Sequence, residues 1–397
     1  MNSLVPSAST GQLTVGVLSL AQALAMTGVS IVTLSTGLAG TYLSASPTLA
    51  TAPLAAQFVA TMLATFPAAM FMRKFGRRVG FTLGQFIGLL GALFSVFALM
   101  EKSFLLFLTA GAVLGVHNAF WGYYRFAAAE AADVGFKHRA ISLVMAGGVL
   151  AAIAGPELAK HTRDLFEPVV FAGCYGAIAV LCAINLIVLQ FASLPGAPSV
   201  KTPPGGRTWV ELLKQPKFFA AVAAAMTGYG VMILIMAATP ISMADCGLEF
   251  NDAAFVIQWH LLAMFVPSFF TGSLIQRWGA ARIVLAGLGL NVVCMTANLA
   301  GTNIANFWFG LVALGLGWNF MYVGATTLLT ESYRPEERDT AQATNDTLVF
   351  ASIALATFAS GALQNTLGWT AVNAIIAVPL ILSLIAMMGL RRAPQAT

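Results

Sequence analysis

Aromatic and hydrogen-bonding side chains recur along one stretch of the chain at helical spacing. His117, Trp121 and Tyr124 stand at positions i, i+4 and i+7, and Asn118 and Arg125 lie on the adjoining stripe. On an α-helix these side chains share one face. Flat rings with a few directional hydrogen-bonding groups suit a planar or amphipathic organic solute. The alternative is that the Trp and Tyr rings pack between helices or lie in the aromatic belt at a membrane surface.

A second stretch, about 200 residues later, offers similar groups. It contains an indole, an amide and a phenol within five residues, which predicts further contacts for the same kind of solute. With a histidine of a neighbouring apolar stretch, the candidate substrate-binding residues are His117, Asn118, Trp121, Tyr124, His260, Trp318, Asn319 and Tyr322.

Three ionisable side chains within apolar stretches are candidates for proton coupling, because such groups are costly in hydrocarbon unless they face a partner or a wet cavity. His260 is a candidate because histidine titrates near neutral pH, and the alternative is a hydrogen-bonded structural histidine. Glu157 directly follows Gly155-Pro156, where proline removes a backbone donor and bends the helix, and the alternative is a solvated end residue. Asp346 is the third candidate.

All these residues belong to long apolar stretches, each near the 20 residues that cross a hydrocarbon core of about 30 Å as a helix. Hydrophobic residues make up 58% of the chain and charged residues only 9%, far from the roughly 25% charged composition of soluble domains. The composition therefore predicts an all-α integral membrane protein. The predicted membrane segments are 13–36, 47–71, 79–100, 104–126, 141–160, 168–192, 218–240, 253–275, 282–301, 305–328, 343–363 and 368–390.

The basic residues orient these segments. If the first segment runs outward from the cytoplasm, seventeen of the twenty Lys and Arg residues lie on the cytoplasmic side, and only Lys102, Lys160 and Arg163 lie outside. Basic residues are retained in cytoplasmic loops, so we expect both termini inside the cell. Topology also accounts for the net charge of +5, and no nucleic-acid partner is predicted.

A polar break rich in proline and glycine, residues 193–217, divides the twelve segments into six and six. The two halves are similar at an offset near 200 residues, as expected of an internal repeat. RKFGRR at 73–78 corresponds to QRWGAAR at 276–282, each between the second and third segments of its half. The predicted regions are a cytoplasmic N-terminus at 1–12, a six-helix bundle at 13–192, a cytoplasmic linker at 193–217, a second bundle at 218–390 and a cytoplasmic tail at 391–397.

These two basic turns, the central linker and Gly155-Pro156 in the fifth segment resemble the major facilitator superfamily over about residues 12–390. The resemblance implies twelve transmembrane helices in two pseudo-symmetric six-helix bundles. Rocking of such halves alternates access to a midplane site without unfolding either half. In that family segments one, four, seven and ten line the central cavity. The resemblance thus places the stripe of His117 opposite that of Trp318.

The basic turn departs from the superfamily pattern at Arg73, where members carry an acidic residue that latches the halves on the cytoplasmic side. The eleventh segment begins with Asp339 and then Asp346. We therefore predict a charge-swapped latch from Arg73 to Asp339 or Asp346, the alternative being that Asp346 binds the coupling proton. The predicted cytoplasmic gate comprises Arg73, Gly76, Arg77, Arg78, Glu130, Arg277, Gly279, Asp339 and Asp346.

The sequence predicts a secondary transporter of a small organic solute that works by alternating access, coupled to protons. Export of an amphipathic compound is the favoured function, uptake of a vitamin such as riboflavin is the alternative, and a non-transporting membrane sensor is a different class. There is no phosphate-binding GxxxxGK[ST], HExxH or nucleophile elbow, so neither an enzyme nor a cofactor is predicted. Four scattered cysteines indicate no disulfide framework or metal site. We expect a monomer in a bacterial inner membrane.

Overall fold

The computed structural model describes residues 8–132, 137–194 and 206–392, and that part of the chain contains helices and no β-strand. The predicted tails are therefore described only in part, and so is the predicted linker. By its internal contacts the chain divides into two compact units. Unit 1 comprises Met1–Ser46 and Ala52–Ser199, and unit 2 comprises Pro47–Thr51 and Val200–Thr397. The predicted domain boundaries stay a prediction.

Unit 1 is built from seven helices in the described residues. They are α1 Ala8–Leu43, α2 Ala52–Phe75, α3 Arg77–Met100, α4 Phe104–Trp121, α5 Tyr124–Ala131, α6 Lys137–Thr162 and α7 Ala172–Val188. A 3-10 turn, Leu189–Phe191, follows α7.

The described part of unit 2 contains eight helices. They are α8 Trp209–Leu213, α9 Pro216–Asp245, α10 Phe250–Phe265, α11 Ser268–Trp278, α12 Ala280–Leu299, α13 Ile304–Thr330, α14 Arg338–Ile375 and α15 Ala377–Arg392. A 3-10 turn, Pro335–Glu337, precedes α14.

Ten helical stretches of the described residues are long and apolar enough to cross a membrane, and α10 with α11, bent by 44°, adds an eleventh crossing. One of the ten, Thr340–Leu390, has 51 residues. At 1.5 Å per residue it would be about 76 Å long, more than twice the hydrocarbon core. Gly368, at φ 76°, breaks it into two crossings. The predicted twelve transmembrane helices are thereby confirmed, and exposed apolar side chains such as Phe66 lie on their outer faces.

Two glycines make the same turn, one in each unit. Gly76, between α2 and α3, has φ 88° and ψ 155°, and Gly279, between α11 and α12, has φ 82° and ψ 148°. Residues with a Cβ rarely adopt this backbone region. The turns RKFGRR and QRWGAAR, which the sequence paired, therefore have the same local conformation.

Glycines on α3 bring α4 close. A Cβ at Gly84 would overlap the side chain of Phe120, and one at Gly88 would lie 2.6 Å from Nδ1 of His117. Small residues allow this close approach of helices in lipid. The α3 glycines thus determine where His117 lies within unit 1.

The segment between α1 and α2 packs on α14 and clusters with unit 2. The hydroxyl of Thr51 donates to the carbonyl of Thr357 at 2.6 Å and accepts from the backbone N–H of Gly361 at 3.0 Å. These bonds explain why Pro47–Thr51 is part of unit 2 although both flanking helices belong to unit 1.

Candidate functional site

The imidazole of His117 faces α3. Its Nδ1 is 2.8 Å from the carbonyl oxygen of Gly84. Because a carbonyl oxygen can only accept a hydrogen bond, Nδ1 carries the hydrogen and Nε2 presents a lone pair. His117 is 5% exposed, so its ring is held within unit 1.

Tyr124 is part of the interior of unit 1. Since α4 ends at Trp121 and α5 begins at Tyr124, the predicted stripe crosses a two-residue turn. The Tyr124 hydroxyl accepts a hydrogen bond from Nε2 of Gln85 at 2.8 Å, and its ring packs edge-on against Phe81 with centroids 4.7 Å apart. The side chain is fully buried, which agrees with the packing alternative that the sequence left open.

Asn118 and Trp121 form the more accessible part of the stripe. Both are half-buried, and the indole Nε1 of Trp121 donates to Oδ1 of Asn118 at 2.9 Å. This bond holds the indole along α4. Its remaining ring surface is a candidate contact for a flat solute.

A cleft inside unit 1 lies beside these residues. Its polar lining consists of Gln57, Gln85, His117, Asn118 and Asn185. The empty space of the cleft, including its open mouth, is about 340 Å³.

Unit 2 contains a cluster of three aromatic rings, Tyr229, Trp318 and Tyr322. Trp318 and Tyr322 are stacked with centroids 5.3 Å apart and an interplanar angle of 11°. Tyr229, from α9, meets them edge-on at 5.1 Å and 4.9 Å. The sequence predicted Trp318 and Tyr322 but missed Tyr229, although its place on the seventh segment, which the family resemblance assigned to the cavity, was a usable signal.

Asn319 is buried between α13 and the break at Pro267. Its Nδ2 donates to the carbonyl of Met264 at 2.8 Å and to the hydroxyl of Ser268 at 2.7 Å, and its Oδ1 accepts from Thr271 at 2.6 Å. The side chain thereby joins α13 to both halves of the broken helix. Both N–H groups of this amide are used and the side chain is fully buried, and its predicted substrate role stays a prediction.

His260, on α10, is fully buried. Its Nδ1 donates to the carbonyl of Leu311 at 2.8 Å, and its Nε2 has no hydrogen-bond partner among the described residues. The arrangement resembles that of His117, because each histidine is bonded to a backbone carbonyl of the neighbouring helix. His260 therefore presents a buried acceptor, and its roles in substrate binding and proton coupling stay predictions.

The other two proton-coupling candidates lie in more solvated places. Glu157 pairs with Nζ of Lys160 at 2.6 Å, and its side chain is 44% exposed, as expected of a residue at a helix end. Asp346 is exposed on α14, and its Oδ1 accepts a hydrogen bond from Nδ2 of Asn345 at 3.0 Å. Neither is a buried carboxyl group.

The predicted gate residues are distributed over both units. In unit 1, Arg77 pairs with Glu130 at 2.5 Å, and Arg78 donates to the backbone carbonyl of Gln190 at 3.0 Å. Arg73 is exposed at the end of α2.

In unit 2, the guanidinium of Arg277 lies over the ring of Trp278, 5.8 Å from its centroid. Asp339 is in the first turn of α14, but its side chain lies outside the described part of the structure. The charge-swapped latch joins residues of different units and stays a prediction.

An ion pair between the segment before α8 and the turn before α14 was not predicted. Nε and Nη2 of Arg207 each donate to a carboxylate oxygen of Glu337 at 2.6 Å, and the backbone N–H groups of Arg207 and Arg334 add two more bonds. These donors hold the pKa of Glu337 at about 2, below its ordinary value of 4.5. Since the partners are 130 residues apart, no local sequence signal pointed to them.

Comparison with known protein families decides the identity. The family model of the Major Facilitator Superfamily matches residues 18–257 and 220–397. The chain belongs to this superfamily.

Within the superfamily, the chain is 40% identical over 380 residues to the riboflavin transporter RfnT of Brucella anthropi, covering 93% of this chain and 95% of that protein. Two solved structures share the fold. A crystal structure of a bacterial homologue of the human lysosomal transporter Spinster superimposes with a TM-score of 0.70 at 15% identity, covering 98% of this chain and 100% of the other. The nucleoside transporter NupG superimposes with a TM-score of 0.72 at 12% identity, covering 94% and 99%.

Membership of the major facilitator superfamily confirms the family, the all-α fold with two six-helix bundles and the secondary transport of a small solute. The chain is a multi-pass membrane protein. The aromatic cluster of unit 2 and the polar cleft of unit 1 are two places where the described residues offer aromatic or hydrogen-bonding groups.

Proposed function

We propose that this transporter carries riboflavin, or a flavin with the same ring system, into a bacterial cell across the inner membrane. The observation that carries the proposal is the 40% identity to the riboflavin transporter RfnT over nearly the full length of both chains. It favours the vitamin-uptake alternative over the export of amphipathic compounds that the sequence favoured.

The aromatic cluster of unit 2 supports a flat substrate. The flavin ring system is planar and has three fused rings, and such a system prefers offset stacking or edge-on contact with other aromatic rings. Trp318 and Tyr322 already stack in parallel, and Tyr229 presents the perpendicular arrangement. The buried Nε1 of Trp318 has no hydrogen-bond partner among the described residues, so this donor needs an acceptor such as a ring carbonyl.

Proton coupling through His260 is part of the proposal. In the neutral form, Nδ1–H already donates to the Leu311 carbonyl, so a proton would bind at Nε2. The added N–H would then need an acceptor, so protonation favours a conformation in which another group accepts a hydrogen bond from Nε2.

We further propose that the transporter is a monomer and that both termini are cytoplasmic. Reporter fusions at the turns of Gly76 and Gly279 test the orientation, and both should report the cytoplasmic side.

Transport in proteoliposomes tests the proposed substrate. Purified protein should accumulate labelled riboflavin when a proton gradient is imposed, and expression should restore growth of a riboflavin auxotroph at low vitamin concentration. Drug resistance of the same cells without riboflavin uptake would contradict the proposal in favour of export. Absence of any solute accumulation would favour a sensor.

Trp318→Ala tests the aromatic cluster. We expect kcat/KM for riboflavin to fall by at least about tenfold, because the ring that stacks with Tyr322 is removed. Trp308→Ala is the matched control, since Trp308 lies on the same helix, contacts Trp259 edge-on at 5.7 Å and also has an unpaired Nε1 within the described residues. Equal losses in both variants would contradict a specific role for the cluster.

A further inference from the structure

We propose that the cleft in unit 1 binds hydroxyl groups of a polyhydroxylated side chain, namely the ribityl chain of the flavin. The proposal rests on the proposed function and deepens it by assigning a site to the part of the substrate that is not aromatic. The polar residues that carry the argument are Gln85, His117 and Asn185, which come from three different helices and line the same cleft.

Two buried acceptors of the cleft have no hydrogen-bond donor among the described residues. Oε1 of Gln85 and Oδ1 of Asn185 are buried and have no hydrogen-bond partner among the described residues. Both side chains are at most 1% exposed. Buried polar atoms in folded proteins are nearly always paired, so two unpaired oxygens beside one cleft indicate a ligand or water that donates to them.

A backbone carbonyl fixes the orientation of the Asn185 amide. Nδ2 of Asn185 donates to the backbone carbonyl of Ala21 at 3.0 Å, and a carbonyl cannot donate in return, so Oδ1 must be the free end. Nε2 of Gln85 is used by the Tyr124 hydroxyl at 2.8 Å. Each nitrogen joins two helices of unit 1 and leaves the oxygen as the acceptor.

His117 adds a third acceptor on the same lining. Because its Nδ1–H is used by the Gly84 carbonyl, Nε2 carries a lone pair. Three acceptors from α3, α4 and α7 therefore match a ligand with several O–H donors.

A metal cation fits this lining less well than hydroxyl groups. No residue that lines the described cleft carries a carboxylate or a positive charge. Hard cations prefer six or more oxygen ligands, usually with carboxylates among them. Neutral acceptors without a compensating charge are suited to neutral donors such as hydroxyl groups.

The rest of the lining suits the carbon atoms of such a chain. Apolar side chains such as Leu24, Val29 and Ile178 complete the lining and can contact the CH groups of the chain. The cleft therefore offers acceptors for the hydroxyl groups and apolar contacts for the carbon atoms of the ribityl chain.

The test compares binding of riboflavin with that of lumiflavin, which has the same ring system and a methyl group in place of the ribityl chain. The wild-type transporter should bind riboflavin at least about tenfold more tightly than lumiflavin, since each satisfied acceptor favours the hydroxylated ligand. In each of the single variants Gln85→Met and Asn185→Leu, the preference for riboflavin over lumiflavin should fall to less than about threefold. The affinity for lumiflavin should be unchanged.

Asn291→Leu is the matched control. Asn291 is also fully buried, its Nδ2 also donates to a backbone carbonyl, that of Gly287 at 2.9 Å, and its Oδ1 is also unpaired in the described residues. It does not line the cleft. This variant should keep the wild-type preference for riboflavin.

The outcomes separate the two proposals. If the wild-type protein binds neither flavin, the proposed function is wrong. If it binds riboflavin and lumiflavin equally, or if the folded cleft variants keep the full preference, the cleft does not bind the ribityl chain while flavin transport stands. Should one cleft variant fail to fold, as judged by size-exclusion chromatography, the other variant and the wild-type ratio still decide the question.

Discussion

Asn319 was predicted to contact the substrate, and in the structure its side chain bonds neighbouring helices. Its three hydrogen bonds join α13 to the carbonyl end of α10 and the start of α11. We expect Asn319→Leu to lower the free energy of unfolding by about 1–2 kcal/mol, because it removes the hydrogen bonds to Met264, Ser268 and Thr271. Thermal unfolding in detergent would measure this loss.

The control for this substitution is Thr326→Val on the same helix, whose exposed hydroxyl bonds only the carbonyl of Tyr322 in its own helix. It should leave the melting temperature nearly unchanged. Loss of transport by Asn319→Leu without loss of stability would contradict the structural role and favour the predicted contact with substrate.

The ion pair of Arg207 and Glu337 makes stability depend on acid pH. Because the pKa of Glu337 is lowered from 4.5 to about 2, its stabilising contribution is complete above pH 4.5 and is lost as the pH falls towards 2. The melting temperature in detergent should therefore decrease over this range, and Glu337→Gln should remove that part of the decrease. Glu331→Gln is the control, since its pair with Lys217 at 2.7 Å is about half-exposed and such pairs contribute little.

The paired turns of Gly76 and Gly279 are the most local of the structural features that the sequence anticipated. Replacing either glycine by alanine should lower the free energy of unfolding by about 1–3 kcal/mol, because both have positive φ and an extended ψ. Gly272→Ala is the control, since no atom lies within 4 Å of a Cβ at this position on α11. It should be neutral or stabilising by up to about 1 kcal/mol. Equal melting temperatures for all three variants would contradict this account.

The sequence predicted the helices without the partners of their faces. Length and hydropathy located all twelve crossings, including the two that Gly368 separates within one continuous helical stretch. The stripe of α4 was predicted to line a cavity, and its packing on α3, to which both His117 and Tyr124 bond, was not predicted. Helical periodicity identifies residues that share a face, and it does not identify the helix that this face contacts.

Alternating access of the whole transporter should depend on the predicted latch. Arg73→Asp and Asp346→Arg should each reduce transport by at least about tenfold, because the predicted latch would then bring like charges together, and the double variant should restore transport. Pairing Arg73→Asp with Asp339→Arg tests the second acid in the same way. Lys74→Asp, an equally exposed neighbouring basic residue, is the control and should have a much smaller effect. No rescue by either acid would contradict the latch.

The amino-acid sequence by itself determined the membrane class, the twelve crossings, the internal repeat and the superfamily, because hydropathy and glycine turns act within one helix or loop. The tertiary structure alone decided that Tyr229 joins Trp318 and Tyr322, that Asn319 bonds both halves of the broken helix and that Glu337 is held by Arg207. It also placed the unpaired oxygens of Gln85 and Asn185 beside one cleft. These contacts join residues far apart in the chain, so their partners depend on how the helices pack and not on any local pattern.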